Sequence, residues 1–388
     1  MSLPPVWKIK RELRRIAKQA AVAHARLSEP FLRRQHRRWL VNTAKPINGA
    51  MALGDKVAIF VLFQPKGIAQ STFFTCDHLV AQGYSPFIVA NAPLSERDRA
   101  AFLTRSALLI ERPNFGYDFG AYQDGIYLLG QLGYRANRLI VMNDSTWFPV
   151  WENDTSIARM EASGDGLVGH IFKTEENEKG GQNHIESHFL IFSGETVQSD
   201  AFESFWINLE SSNQRTTTIA RGEKQLTQTM LVNGVAATGL LSRAATLEML
   251  AQLAPIELRN IAEVVVPYGT ENCAVLSDIL DRWEIDATAA QDFLNWVHHS
   301  LSNTSANGLS TAFVKFSMQY GRLGFVKKAN DIWFHNARRD VLQMEADGLI
   351  PPLHPAVRTE MLAMVERWPS GPPTDNTAAS RATRPDLQ

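Results

Sequence analysis

The sequence predicts an α/β protein, a mostly parallel sheet with helices on both faces. Two observations predict it. Short apolar runs of strand length alternate with segments of helical pattern through the first half of the chain. The runs are continuously apolar rather than alternating, as in strands covered on both faces. KVAIFVLF (56–63) is the clearest of them, and a helical segment follows near 69–82. SPFIVAN (85–91) is a second strand. SERDRAAFLTR (95–105) is a helix, with Ser95 as its cap and Glu96 in an acidic first turn. ALLIERP (107–113) is a third strand ended by Pro113, 118–130 is helical, and NRLIVMND (137–144) is a fourth strand.

The second half is less regular. GLVGHIF (166–172) and ESHFLIFS (186–193) read as strands around a polar, glycine-rich loop. SDAFESFWINL (199–209) is a Ser-capped helix, and GEKQLTQTMLVNG (222–234) is a helix closed by Asn-Gly. The pattern is mainly helical from about 285. Four segments follow: a basic amphipathic helix over 1–42, the α/β domain over 56–284, a helical C-terminal region over 285–368, and a disordered tail over 369–388.

Composition excludes several classes. The chain of 388 residues is 45% hydrophobic and 20% charged, which is ordinary for a globular protein. Cys76 and Cys273 fit neither a zinc spacing nor a disulfide framework, so a reducing interior is expected. No apolar run reaches membrane-spanning length, and the N-terminus lacks a signal-peptide core. The expected location is cytoplasmic. The net charge of -1 hides an asymmetry, because residues 8–38 hold eleven Lys or Arg against Glu12 and Glu29. With Trp7, Ile9, Leu13, Ile16, Phe31, Leu32 and Trp39 interspersed, that segment suits peripheral contact with an anionic inner membrane face. A solvated helix lying on the domain is the plain alternative. No nucleic-acid module follows, so nucleic acid is not an expected partner.

In open α/β sheets, ligands sit outside the carboxyl ends of the strands. Asn114, Gly116, Tyr117 and Asp118 lie just beyond strand three, and Asn143, Asp144 and Ser145 just beyond strand four. Both clusters should border one crevice. Asp144 could ligate a hard divalent cation that in turn holds phosphates, although Asn-Asp-Ser after a strand is commonly a plain turn or cap. Gly116 and Gly120 would let the backbone approach a ligand, and Asp118 at a helix start is either a cap or part of an anion site. There is no G-x-G-x-x-G after the first strand and no Walker phosphate loop, so dinucleotide and P-loop readings lose their support. His184, Glu186 and His188 would share one face of a regular strand, as metal ligands with His170 nearby or as the lining of an acceptor pocket.

NFGYDFGAYQDGI, LIVMNDSTWFP, HIESHFLIFSGE and GEKQLTQTMLVNG, in this order and spacing over roughly 57–240, resemble the rhamnan synthesis protein F family. That family is regarded as glycosyltransferases of rhamnose-containing cell-surface polysaccharides. The resemblance implies a GT-A-like fold with a nucleotide-sugar at the sheet ends. It places Asn143-Asp144-Ser145 at the metal-binding Asp-x-Asp motif of GT-A enzymes, with the carboxylate central and Asn and Ser in place of the two aspartates. Asp144 would then bind Mg²⁺ or Mn²⁺, or the donor directly. Asn114, Gly116, Tyr117, Asp118, Asn143 and Ser145 would bind the donor, and His184, Glu186 and His188 the acceptor. Glu223 would be the general base of an inverting transfer, although a first-turn glutamate is also what a helix dipole favours. The implied donor is dTDP-rhamnose and the implied acceptor a polysaccharide or a lipid-linked glycan. The rival expectation is a sugar- or nucleotide-binding module that keeps the fold without the chemistry.

Overall fold

The computed structural model describes residues 12, 15, 27–173, 183–265, 270–303 and 308–368. The strands are β1 (Ile47–Asn48), β2 (Lys56–Leu62), β3 (Ser85–Ala90), β4 (Leu108–Glu111), β5 (Arg138–Asn143), β6 (Thr146–Trp147), β7 (Leu167–Lys173), β8 (His184–Ile185), β9 (Phe189–Ser193), β10 (Ala237–Ser242) and β11 (Val326–Lys327). The main sheet runs β1-β4-β3-β2-β5-β9-β7-β10, with β8 on β7. Its centre is parallel, with β2 between β3 and β5 in registers such as Ile59↔Phe87 and Ile59↔Val141. Strand β9 enters antiparallel between β5 and β7. Each predicted strand from 56 to 144 is present within a residue or two of its expected ends.

The continuous apolar run of β2 serves two cores at once. Successive side chains in a strand face opposite ways. Val57, Ile59 and Val61 pack with Phe119, Ala121 and Tyr122 of the helix Tyr117–Gln131. Ala58, Phe60 and Leu62 pack with Cys76 and Leu79 of the helix Gln70–Ala81. The sheet is therefore flanked by helices on both faces, as predicted. Ser95 and Ser199 cap their helices, accepting from the backbone N–H of Asp98 and Phe202. Neither Cys76 nor Cys273 forms a disulfide among the described residues.

Helical structure resumes earlier than 285, at Arg243–Ala251, and continues through Ala289–Asn303. Leu250, Phe293 and Phe316 share a core with Phe60 and Leu79. Further on, Ile332–Ala346 and Pro355–Glu366 bury Val341 and Met361 against Trp147 and Val326. The C-terminal region is thus fastened directly beside the end of β5, through the pairing of β11 with β6.

Of the basic N-terminal segment, residues 12, 15 and 27–42 are described and helical. Trp39, Leu40 and Ala44 pack on the sheet's core, and Arg33 pairs with Glu210 at 3.4 Å. His36 Nε2 lies 2.8 Å from Asp124 Oδ2. The stretch 27–42 is docked on the domain, while Trp7, Ile9, Leu13 and Ile16 lie outside the described residues, as does the tail 369–388. No helix of the described residues is long and apolar enough to cross a membrane.

Candidate active site

The two clusters predicted beyond strands three and four do meet. At the end of β5, Asn143 divides its amide. Its Nδ2 donates to Asp118 Oδ2 at 2.8 Å, and its Oδ1 accepts from the N–H and hydroxyl of Ser145 at 3.0 and 2.5 Å. Asp144 Oδ2 accepts from Phe63 N at 3.0 Å and Gln64 Nε2 at 2.9 Å, which ties it to the end of β2. Its Oδ1 has no partner among the described residues. Asp118 sits in the first turn of Tyr117–Gln131. Burial, then the neighbouring Asp144 carboxylate, pushes its carboxyl up to about 7; Asn143 and the cations Arg112 and Arg215 only partly oppose this.

The backbone leading to Asp118 is unusual. Gly116 and Tyr117 both have positive φ, 79° and 50°. Such a conformation is costly for a tyrosine and is concentrated at functional sites. The ring of Tyr117 is 42% exposed, and Asn114 is exposed beside it. Gly116 is needed for its conformation, and because a Cβ there would stand 2.7 Å from that of Ser211. The space its missing Cβ leaves is taken by Ser211.

Glu223 lies in a different setting from the one predicted. A π-helix, Ile219–Lys224, precedes the α-helix Gln225–Val232 where one α-helix was expected. Gly222 faces the Phe119 ring so closely that a Cβ would fall 2.5 Å from it. The Glu223 carboxylate accepts from Ser187 N and Oγ at 3.1 and 2.5 Å and lies 3.2 Å from His184 Nε2. Burial alone would raise its pKa, but these donors outweigh it and hold the carboxyl at about 2. A group so strongly held as the anion is a weak base.

The segment 184–188 is not the regular strand expected. His184 belongs to β8, residues 187–188 form a turn, and β9 begins at Phe189. His184, Glu186 and His188 are 3%, 2% and 4% exposed, which leaves no free face for an acceptor. Glu186 takes Lys173 Nζ at 3.0 Å, Lys327 Nζ at 2.6 Å and His188 Nδ1 at 3.4 Å. His188 Nε2 lies 3.0 Å from His170 Nδ1. These groups form a buried charge network joining three parts of the chain. Among the described residues no group of three or more His, Cys, Asp or Glu is placed to hold a metal ion.

Residues 87–251 match the rhamnan synthesis protein F family. The match contains Asp118, Asn143, Asp144 and Glu223. The chain is 33% identical to the uncharacterized protein y4gN of Sinorhizobium fredii over 220 residues, 57% of this chain and 56% of that protein. It thus spans a little over half of that relative's length. Among solved structures, the mannosyltransferase Ktr4p from S. cerevisiae aligns over 46% of this chain and 68% of its own, at 10% identity and a TM-score of 0.25, too distant a likeness to carry an argument.

Several residues of the site escaped sequence reasoning. Gln64 and Asn91 stand just beyond β2 and β3, where the strand-end rule alone would have flagged them. Arg112 is buried at the end of β4, its guanidinium 2.6 Å from Asp124 and 2.5 Å from Asn91 Oδ1. Lys328 reaches the site from outside the family match, where the sequence carried no chemical signal. A hard divalent cation needs several oxygen ligands. Among the described residues, Asp144 and Asp118 each offer one unengaged oxygen, their Oδ1, while Asn143 Oδ1 is taken up by Ser145. Two oxygens fall short of the closed shell of a metal held by protein ligands alone.

Proposed function

We propose that the chain is a glycosyltransferase that takes a nucleotide-sugar at the carboxyl ends of β2, β4 and β5, in a GT-A-like arrangement. The observation that carries this is the pair Asp118 and Asp144, brought together beyond the ends of the parallel strands β4 and β5 by Asn143, within the segment that matches the family. The exposed Tyr117 ring is suited to stack on the donor base. In an inverting transfer the base takes the acceptor hydroxyl proton while that oxygen bonds to the anomeric carbon. The bond from that carbon to the diphosphate oxygen breaks, and its electron pair leaves with the diphosphate. A useful base titrates near the working pH. Asp118 meets that condition and Glu223 does not, so the base role moves to Asp118. Glu223 instead fastens the turn after β8. The family's name favours rhamnose as the sugar and a polysaccharide as the product; a dTDP donor and a lipid-linked acceptor are what the resemblance implies.

The test is a panel of nucleotide-sugars, dTDP-rhamnose included, titrated into the purified full chain with Mg²⁺, with Mn²⁺ and with EDTA. A ligand of the native state raises its apparent stability by mass action. Selective stabilisation, with nucleoside diphosphate released on adding a glycan acceptor, is the expected result. Binding without turnover across the panel and a range of glycan acceptors would favour a non-catalytic module, and no binding at all would overturn the reading.

A further inference from the structure

Lys327 and Lys328 are neighbours in sequence with opposite fates. Strand β11 pairs antiparallel with β6, placing Lys327 opposite Thr146, and Lys328 N donates to Ser145 O at 2.8 Å. Successive side chains leave a strand on opposite sides. Lys327 turns into the buried network, 2.6 Å from Glu186. Lys328 turns to the other side, its Nζ 5.5 Å from the centroid of the Trp147 ring.

The ammonium of Lys328 makes no hydrogen bond or ion pair among the described residues, although it stands in the field of two carboxylates, Asp144 and Glu360. Glu360 is already engaged by Ser71 N at 2.9 Å, Ser71 Oγ at 2.6 Å and Trp147 Nε1 at 2.8 Å. Asp144 is engaged through Oδ2 at the end of β2. Lys328 is therefore a half-buried cation with three N–H donors to give and a position fixed by β11, Trp147 and Ser145. It is held beside the oxygen-poor Asn143-Asp144-Ser145 turn, where a metal-binding motif would otherwise be sought.

We propose that Lys328 is the resident cation of this site, binding the diphosphate of the nucleotide donor in the role usually given to a divalent metal. A pre-positioned ammonium stabilises the charge that gathers on the diphosphate as the sugar leaves. Arg215, whose charge is felt at Asp118, opens the helix Arg215–Thr218 and is a second cation near that carboxyl. The identity of the donor rests on the proposed function; the binding of a diphosphate by Lys328 does not.

The experiment uses the full chain, Lys328→Met and Lys328→Arg, with unchanged circular dichroism and melting temperature required of each variant. Calorimetric titrations with inorganic pyrophosphate, dTDP, UDP, dTMP and UMP are run in EDTA and repeated with Mg²⁺. The expected result is metal-independent binding of pyrophosphate and of the nucleoside diphosphates by the native chain. Lys328→Met weakens these at least tenfold, leaves the monophosphates within about twofold, and Lys328→Arg restores part of the loss. Equal affinity of Lys328→Met and the native chain for every diphosphate would overturn the inference, as would binding that appears only with Mg²⁺. Pyrophosphate binding that depends on Lys328 while no nucleotide binds would uphold the cation and sink the nucleotide-sugar reading. Nucleotides bound with no preference for the diphosphate would do the reverse.

Discussion

Replacing Asp118 by asparagine should stabilise the protein, and more so at higher pH. The carboxyl titrates at about 7 in the fold, because burial and then Asp144 disfavour its charge, against about 3.9 in an unfolded chain. A raised carboxyl pKa means the native state holds its proton longer than the unfolded state does. Its relative stability is full below about pH 4 and is lost as pH rises through 7. The linkage relation puts the loss between pH 5 and pH 8 at about 2.5 kcal/mol as a ceiling. Asp118 is only partly buried, so residual hydration reduces this to about 1 kcal/mol. An asparagine side chain carries no charge to bury, and its carbonyl can still accept from Asn143. Urea unfolding of native chain and Asp118→Asn at both pH values, followed by tryptophan fluorescence, measures the difference directly. The gain in stability on substitution should be larger at pH 8 than at pH 5 by about 1 kcal/mol, within the 2.5 kcal/mol ceiling. An equal gain at both pH values, or a loss at pH 8, would refute the assignment of Asp118 as a partly buried group that titrates near neutral pH.

Turnover, once a donor is in hand, should rise with pH through about 7 in the native chain and be reduced at least 100-fold in Asp118→Asn. Glu223→Gln should keep turnover within about tenfold and cost about 1–2 kcal/mol of stability, since a charge-assisted bond becomes a neutral one; a loss of 100-fold or more with intact donor binding would return the base role to Glu223. Arg112→Met strands the buried Asp124 carboxylate with only His36 beside it, so urea unfolding should show a loss of about 3–5 kcal/mol. Sedimentation with anionic vesicles should pull down the full chain but not a chain lacking 1–26; the cut stops there because Trp39 and His36 belong to the folded domain. Equal sedimentation of the two would remove the membrane role from the N-terminal segment.

The parallel core was legible because a strand buried on both faces must be continuously apolar, and KVAIFVL and SPFIVA are. The meeting of Asp118 with Asn143 was legible for a related reason, that strand ends in such a sheet open on one edge. Local pattern failed where long-range contact decided the geometry. The turn at 187–188 is held by Glu223, a residue 36 positions away, and strand periodicity contains no trace of it. The π-helix at Ile219–Lys224 faces Phe119, more remote still in sequence. Lys328 was invisible because nothing local distinguishes it from Lys327; only the pairing of β11 with β6 sends one lysine to Glu186 and the other towards Asp144.

Charge balance ties these residues into one argument. Two carboxylates beyond the ends of β4 and β5 would repel a diphosphate if both were ionised and nothing opposed them. Asp118 is half protonated near neutral pH, and Lys328 offsets Asp144 without closing an ion pair on it. The free site is then close to neutral and holds an uncommitted ammonium. In the proposed transfer, an entering diphosphate would favour the protonated form of Asp118, and its contact with Lys328 would limit that bias. In that transfer, departure of the charged leaving group from the sugar would strengthen the contact with Lys328 as charge accumulates. A site arranged this way holds its strongest interaction for the moment of bond breaking. The proposed role would also explain why a carboxylate that weakens the fold above pH 7 is held in place by Asn143 at the end of a central strand, since active sites trade stability for chemistry.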